Sequence, residues 1–448
     1  MKKSIYTTLF CILLGLTGCD KFLDITPTGR VIPETAQDYR ELLTQAYYDM
    51  PSSRGLTAFI SDEIDMTKIN PSDYLSINTF MDLWLWNNVN PGGSTIDFDW
   101  EKYYKMIFVA NTVIENEKSI KEGSAAEIGQ IVGEAYMMRA YNHFILVNLY
   151  ALPYNTETAA SNKGIPLKLK SDMDEVLHPA SVADVYESVL SDIDNAEKRL
   201  NVETWETGLN YRFNTISADA LRSRVYLYMG RWEEAYNASV RVLEKKNELV
   251  NLVSGRILPN AYNADENIVA LEMNMTSTYT INRMVSSTLY DLYLPSGQDQ
   301  RASKYYKRDA TGIYNLTKGG SSEYRCSFRT GEIVLNGAEA ALRNHRPEEA
   351  RTLLLKLLEK RYQAAAYTTA KANIEAMDDD ALLDELFLQR QLELAFEGHR
   401  WFDLRRMEKS KRPALIREYL GTTYHIEDNY PEWTIKIPEE VRKANPYL

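Results

Sequence analysis

Histidine and cysteine, which are common in catalytic and metal sites, are scarce in this chain of 448 residues. No two of its five histidines have the close spacing of a helical zinc motif such as H-E-x-x-H. They are His143, His178, His345, His399 and His425. The sequence also lacks G-x-S-x-G, the P-loop and G-x-G-x-x-G. These absences argue against an enzyme, so we expect no catalytic residue, no metal and no cofactor.

Positive charge is also in deficit. The 51 lysines and arginines face 63 aspartates and glutamates, which gives a net charge of −12. A nucleic-acid partner needs a concentrated basic surface, so this class of function is disfavoured. With 63 carboxylates, an acid–base pair could always be chosen, and acidic residues alone therefore indicate no active site. The run Asp378–Asp380 could touch calcium, but acids favour helix starts, and we prefer that interpretation.

The N-terminus has no apolar run long enough to span a bilayer, but it has the pattern of a secretory signal. "MKK" precedes a short apolar stretch that ends in "LTGC", which resembles a bacterial lipobox. We expect residues 1–18 to be removed and Cys19 to carry lipid; the alternative is an ordinary signal peptide with a chance cysteine. Cys11 would be lost, and Cys326 alone would remain, so no intramolecular disulfide is expected. Residues 19–35 are polar and rich in turn residues, as in a tether.

Most of the remaining chain has helical periodicity. Two stretches share a turn: R-W-E-E-A at 231–235 matches R-P-E-E-A at 346–350, each between amphipathic segments. This pattern resembles the tetratricopeptide helix-turn-helix, in which small residues let paired helices approach. We predict a mostly α fold with such units near 125–150, 214–246, 331–361 and 380–409. Residues 19–448 are predicted to form a single domain.

Two insertions, 59–100 and 251–330, lack helical period and are rich in aromatic residues. Trp84 and Trp86 alternate in "LWLW", which predicts that they share one face of an extended segment. Indole and phenol rings suit stacking on sugars or gripping peptides, although a single tryptophan is more often core. We predict a ligand-binding surface on these loops, with Trp84 and Trp86 first. The further candidates are Tyr290, Tyr293 and Arg301.

The stretch "LFLQRQLELAFEGHRWFDLRRMEKS", from Leu386 to Ser410, resembles an active site because it crowds acids, bases and aromatics together. His399 and Asp403 are four residues apart and could act together. The alternative is that Glu397, His399 or Asp403 pairs with the neighbouring arginines and fastens a turn between two helices. We favour this structural role, because charges packed in a turn need partners whatever the function.

The sequence resembles the SusD/RagB family of Bacteroidetes outer-membrane lipoproteins. The resemblance rests on "RQLELAFEGHRWFDLRR", on the lipobox followed by "FLDITPTG", on "GEAYMMRAYNHFILVNLYALPY" and "ALRSRVYLYMGRWEEA", and on the ending "IKIPEEVRKANPYL". It spans nearly the whole mature chain.

The resemblance implies tetratricopeptide-like units packed against an irregular, loop-rich ligand-binding region. It also implies a lipid-anchored protein at the cell surface that binds a glycan without catalysis and delivers it to a SusC-like TonB-dependent transporter. The RagB branch takes peptides, so a peptide ligand is the alternative. A surface glycosidase is the less favoured enzymatic alternative. No binding residue is carried over from the family.

Overall fold

The structure is a computed structural model that describes residues 33–68, 80–86, 98–280, 285–295, 297–427 and 433–448. The predicted signal peptide, Cys19 and almost all of the predicted tether lie outside these residues. Among the described residues, no helix combines the length and apolar character that a membrane crossing requires.

Helices dominate the described chain. They are α1 (Ala36–Tyr48), α2 (Thr57–Ile60), α3 (Trp100–Glu115), α4 (Ala125–Tyr150), α5 (Val182–Glu197), α6 (Thr215–Met229), α7 (Trp232–Lys245), α8 (Ser277–Thr280), α9 (Ser287–Tyr290), α10 (Gln300–Tyr305), α11 (Thr330–Arg343), α12 (Pro347–Glu359), α13 (Ala364–Ala376), α14 (Asp379–Glu393), α15 (Arg400–Arg406) and α16 (Glu439–Ala444). Short 3₁₀ turns occupy Ser53–Leu56 and Glu117–Ser119, and residues 80–84 are also helical.

Within the described ranges, the strands are short and form four separate two-stranded antiparallel sheets. The pairs are β1 (Lys163–Pro166) with β2 (Pro179–Ser181), β3 (Asn267–Val269) with β6 (Phe328–Arg329), β4 (Tyr306–Arg308) with β5 (Tyr314–Leu316), and β7 (Ile416–Tyr419) with β8 (Thr422–His425). The mostly α fold class predicted from periodicity is therefore confirmed.

The long helices form a continuous array in which α3, α4, α5, α6, α7, α11 and α12 contact one another in turn. The pairs α6–α7, α11–α12 and α14–α15 lie where helix-turn-helix units were predicted. The predicted unit near 125–150 is instead one helix, α4, which packs between α3 and α5. All but a few of its residues after Gly129 are buried, because neighbouring helices cover it on several sides.

Local sequence explains where these helices begin and how closely they pack. Ser181 and Asp184 form a capping box at the start of α5, in which each side chain accepts from the other's backbone N–H. Gly230 ends α6 in a left-handed conformation with φ +71°. A Cβ at Gly337 of α11 would lie 3.1 Å from the Cβ of Ser239, so glycine lets α11 approach α7. Leu394 is the C-cap of α14, and Gly398 lies later in the turn that leads to α15.

Candidate functional site

A pocket of about 300 Å³ forms where the two aromatic insertions meet the β7–β8 hairpin. We call it the tryptophan pocket. Its lining residues are Ser61, Asp62, Ile64, Asp65, Thr67, Trp84, Trp86, Ser286, Ser287, Thr288, Ala414, Leu415, Ile416, Arg417 and Glu418. An antiparallel bridge between Ile64 and Val285 joins the first insertion to the second. The backbone N–H of Ser286 also donates to the carbonyl of Glu63 at 2.9 Å.

Both predicted tryptophans line this pocket, but not as residues of an extended segment. Trp84 ends a short helical stretch, and Trp86 follows with a positive φ of 53°. The predicted extended conformation is therefore wrong. The indole N–H of Trp84 donates to the carbonyl of Ile64, and that of Trp86 to the carbonyl of Ile60, both at 2.9 Å. Trp84 is buried, whereas Trp86 is partly exposed, so only the ring of Trp86 offers appreciable surface to a ligand.

Arg417, from β7, holds the two indoles in place. Its guanidinium carbon lies 3.8 Å from the centre of the Trp86 ring and 4.9 Å from that of Trp84. It donates to the carbonyl of Phe59 at 3.1 Å and to the carbonyl of Ser61. Burial lowers the pKa of Arg417 well below its ordinary value, although Asp62 and Asp65 partly offset this effect. Backbone carbonyls and aromatic faces therefore stabilise the guanidinium of Arg417. Its contact with the Trp86 ring holds that ring in a fixed position.

Polar groups surround the exposed part of Trp86. Asp65 is partly exposed, and one of its oxygens accepts from the backbone N–H of Thr67 at 2.9 Å. Asp62 is already engaged, because Arg400 donates to both of its oxygens at 2.8 and 2.7 Å. Ser287 and Thr288 add hydroxyl groups from the first turn of α9. A flat apolar ring beside hydroxyls and a carboxylate matches the two kinds of surface that a sugar presents.

The tyrosine-rich insertion folds against the same region. Tyr290, on α9, stacks on Tyr314 of β5 with ring centroids 3.6 Å apart and an interplanar angle of 17°. It is partly exposed, so a ligand can reach it. The backbone N–H of Val285 donates to the carbonyl of Tyr314 at 3.2 Å and ties this pair to the bridge beside the pocket. Tyr290 itself does not line the tryptophan pocket, to which α9 contributes Ser287 and Thr288.

Two other predicted ligand residues lie in the interior, and their assignment is corrected. The hydroxyl of Tyr293 donates to the carbonyl of Leu392 at 2.8 Å, and only 5% of the residue is exposed. Arg301 is fully buried and donates to both carboxylate oxygens of Asp299 and to the amide oxygen of Gln389. The sequence pattern placed them in a loop but could not show which loop side chains turn inward. The stretch "NNVNPGG", residues 87–93, follows Trp86 directly in the first insertion. It falls within 87–97, which lies outside the described residues.

The stretch from Leu386 to Ser410 contains several buried ion pairs. Arg390 and Arg406 both donate to Asp403, at 2.8–2.9 Å. Glu397 accepts from Arg329 and Lys318. The partners of Glu397, Arg329 and Lys318, lie in a distant segment of the chain. The sequence had predicted that the partners would be arginines within the turn itself.

A denser network lies behind this turn. Glu393 accepts from Arg329 and Arg361, and Glu266 accepts from the same two arginines. Burial raises the pKa of Glu393, but the guanidinium groups of Arg361 and Arg329 outweigh it and hold that pKa well below its ordinary value. Glu393 is therefore ionised, and both carboxylates are engaged in ion pairs, which suits a structural role.

His399 does not form a dyad with Asp403. Burial, aided by the nearby charges of Arg224 and Arg54, lowers the pKa of His399 well below its ordinary value, so the ring is neutral. Its Nδ1 has no hydrogen-bond partner among the described residues. Throughout the described residues, no three histidine, cysteine or acidic side chains are grouped closely enough to hold a metal ion.

Sequence reasoning missed Arg417, Asp65 and the hydroxyls of Ser287 and Thr288. Arg417 occurs in "IREY", and nothing in that short stretch distinguishes it from other arginines on the surface of a strand. Its position depends on the β7–β8 hairpin folding back against Phe59 and Ser61, more than 350 residues away along the chain. Only tertiary structure could show this relation.

Comparison with known proteins extends these observations. A family model described as starch-binding and associating with outer membrane matches residues 21–227, and the SusD family model matches residues 194–447. SusD-like protein P38 of Formosa agariphila is 25% identical, with 90% of this chain and 91% of that protein aligned.

Solved structures agree in fold. A SusD superfamily protein from Bacteroides thetaiotaomicron has a TM-score of 0.75 and 22% identity over 92% of this chain and 98% of that one. A laminarin-binding SusD-like protein has a TM-score of 0.61 and 19% identity over 83% of this chain and 91% of that one. The SusD family model matches residues 194–447, which is more than half of the sequence, and this match shows that the chain belongs to the SusD family.

Proposed function

We propose that this protein binds an oligosaccharide in the tryptophan pocket, at the cell surface, and delivers it without catalysis to a SusC-like TonB-dependent transporter. Cys19 would carry the lipid that anchors it to the outer membrane. The family description, starch-binding and associating with outer membrane, supports the ligand class and the location. The laminarin-binding neighbour supports a glycan in particular, since it shares this fold.

The observation that carries the proposal is the stack of Trp86 on Arg417 beside the hydroxyl groups of Ser287 and Thr288. Arg417 lies against the Trp86 ring at 3.8 Å, so the indole is held in place before any ligand arrives. A ring that is already fixed loses little conformational entropy on binding. The apolar face of a sugar can stack on it, while Asp65, Ser287 and Thr288 can bond to hydroxyls at its edge.

Absence of catalysis is proposed on electrostatic grounds. A general acid needs a pKa near neutrality and access to substrate. Among the described pocket residues, Asp62 is held by Arg400, and no histidine lines the pocket. The pKa of the neighbouring Glu63 is raised to about 7, but this carboxyl is buried, accepts from the backbone N–H of Phe396 and does not line the pocket. The buried acids of the C-terminal turn are ionised and paired. This arrangement suits binding and release more than bond cleavage.

The test is calorimetry of the soluble protein, residues 20–448, with neutral glucan oligosaccharides of the starch and laminarin types and with a peptide library. We expect a glucan to bind and Trp86→Ala to weaken that binding at least tenfold, which is the usual cost of losing a central aromatic contact. Trp232→Ala is the matched control, since Trp232 also faces an arginine, Arg343 at 5.3 Å, but lies on α7 outside the pocket.

Each alternative has its own outcome. Binding of peptides in place of sugars, with the same loss in Trp86→Ala, would favour a RagB-like peptide carrier. Release of shortened products during prolonged incubation would indicate a glycosidase. Equal affinity in Trp86→Ala and Trp232→Ala would overturn the tryptophan pocket as the binding site.

A further inference from the structure

A second aromatic cleft, of about 430 Å³, lies elsewhere on the protein. We call it the tyrosine cleft. It is lined by Thr44, Tyr47, Tyr48, Gly208, Asn210, Tyr211, Tyr262, Ala270, Leu271, Ser322 and Arg325. The end of α1, the loop before α6, the β3 segment and the loop before β6 each contribute to it. It shares no lining residue with the tryptophan pocket, so it is a separate surface.

Three tyrosine rings form an accessible wall. Tyr48 is 81% exposed at the end of α1, and Tyr262 is 37% exposed. Tyr211 is partly exposed, and its ring meets that of buried Tyr47 edge to face at 5.4 Å. Large apolar rings gathered on a surface mark a binding site more often than isolated ones do. Phenol rings in particular combine a flat face with a polar tip.

Hydrogen bonds hold parts of this wall in place. The backbone N–H of Tyr262 donates to the carbonyl of Glu323 at 2.8 Å, and its carbonyl accepts from the side-chain amide of Asn210 at 2.7 Å. The hydroxyl of Tyr47 donates to Glu134 at 2.9 Å. A Cβ placed on Gly208 would meet no atom within 4 Å, so the mouth of the cleft is open there.

The charge of the cleft differs from that of the whole protein. No aspartate or glutamate is among its lining residues, although acids outnumber bases in the chain by 63 to 51. Arg325 is partly exposed, and one of its guanidinium nitrogens donates to the carbonyl of Leu271 at 3.1 Å. Among the described residues, no carboxylate pairs with Arg325. Its remaining donors are thus available for an anion, and a guanidinium binds carboxylate or sulfate groups in a bidentate manner.

A second arginine, Arg212, adds positive charge beside the cleft. Arg212 donates from its Nε to the hydroxyl of Tyr211 at 3.4 Å, and its guanidinium carbon lies 5.5 Å from the Tyr211 ring centre. The same guanidinium carbon lies 5.2 Å from the centre of the Trp205 ring. Positive charge near the aromatic wall favours an anionic ligand over a neutral one.

We propose that the tyrosine cleft is a second carbohydrate site, specific for sugars with an acidic substituent, either a carboxylate or a sulfate. The sugar ring stacks on Tyr48 and Tyr262, and Arg325 pairs with the acidic group. The site is independent of the tryptophan pocket, so it would let one protein hold a charged glycan in addition to the ligand of that pocket.

The test is calorimetry with three anionic probes, namely oligogalacturonate, alginate fragments and chondroitin sulfate fragments, and with maltoheptaose as the neutral probe. Arg325→Gln keeps a polar side chain but removes the charge, and Tyr48→Ala removes the most exposed ring. We expect at least one anionic probe to bind and each variant to weaken it at least fivefold. Binding of that probe should also weaken with added salt, and Arg325→Gln should reduce this salt dependence.

Two controls separate this site from the tryptophan pocket. Trp86→Ala should bind the anionic probe as the unaltered protein does, whereas Arg325→Gln should leave any binding of the neutral probe unchanged. Tyr447→Ala controls for loss of an exposed tyrosine elsewhere, since Tyr447 is 51% exposed. The proposal is overturned if no anionic probe binds at millimolar concentration, or if Trp86→Ala rather than Arg325→Gln abolishes its binding. Unchanged melting temperatures for the variants would show that the losses are local.

Discussion

A carboxylate oxygen of Glu63 accepts a hydrogen bond at 2.5 Å from the backbone N–H of Phe396, which lies 333 residues further along the chain. Phe396 has a positive φ of 62°, which is uncommon for a bulky residue. Glu63 lies between Asp62 and Ile64, which line the tryptophan pocket. The bond therefore ties one edge of the proposed glycan site to the C-terminal turn.

Burial of the Glu63 carboxyl makes stability depend on pH. Burial raises the pKa of Glu63 to about 7, although the hydrogen bond from Phe396 opposes the rise. A carboxyl whose pKa is higher in the folded protein stabilises the fold at low pH and loses that contribution as the pH rises from about 4.5 to about 7. Glu63→Gln, which cannot ionise, should therefore gain thermal stability relative to the unaltered protein between pH 5 and pH 8. Melting curves across that range provide the measurement, and a constant difference would contradict it.

Trp401 should contribute strongly to stability and should not contact the ligand. It is 1% exposed, and its ring stacks on Trp433 with centroids 5.1 Å apart. Trp401→Ala should lower the free energy of unfolding by about 3–5 kcal/mol, the usual cost of truncating a buried large aromatic. Denaturant titration would measure this, and calorimetry on the folded fraction should show ligand affinity intact. Normal stability with lost binding would instead make the C-terminal turn a binding element.

Arg301 should also contribute to the free energy of unfolding. Arg301→Met leaves the buried carboxylate of Asp299 without its guanidinium, and Glu393 loses one of its cationic neighbours. Removing one partner of a buried ion pair costs about 3–5 kcal/mol. Arg308→Met, in the same insertion but exposed, should change stability by less than about 0.5 kcal/mol. Similar melting temperatures for the two variants would show that the interior pairing contributes little.

The anchor can be tested separately. Cys19→Ala should lose label from radioactive or clickable palmitate and should move from the membrane fraction to the soluble fraction. Cys326→Ala is the control, because Cys326 is buried and should carry no lipid. A Cys19→Ala protein that stays labelled and membrane-bound would mean that the lipobox assignment is wrong.

Sequence periodicity located the helices well because each long helix buries one face against its neighbours. The R-W-E-E-A and R-P-E-E-A motifs mark the starts of α7 and α12, with Arg231 and Arg346 as the N-cap residues. Periodicity failed at α4, where burial on several sides removes the amphipathic pattern, and at "LWLW", where period-two alternation did not correspond to a strand. Short aromatic stretches carry too little pattern to separate a strand from a helical turn.

The sequence by itself determined the mostly helical fold, the family and the presence of aromatic insertions, because these depend on local periodicity and on long contiguous motifs. Tertiary structure alone decided which aromatic residues reach the surface. Trp86 and Tyr290 remain accessible, whereas Trp84, Tyr293 and Arg301 are buried. The reason is physical: burial of a loop residue is set by contacts such as Arg417 on Trp86, which join segments hundreds of residues apart and leave no trace in either segment's own sequence.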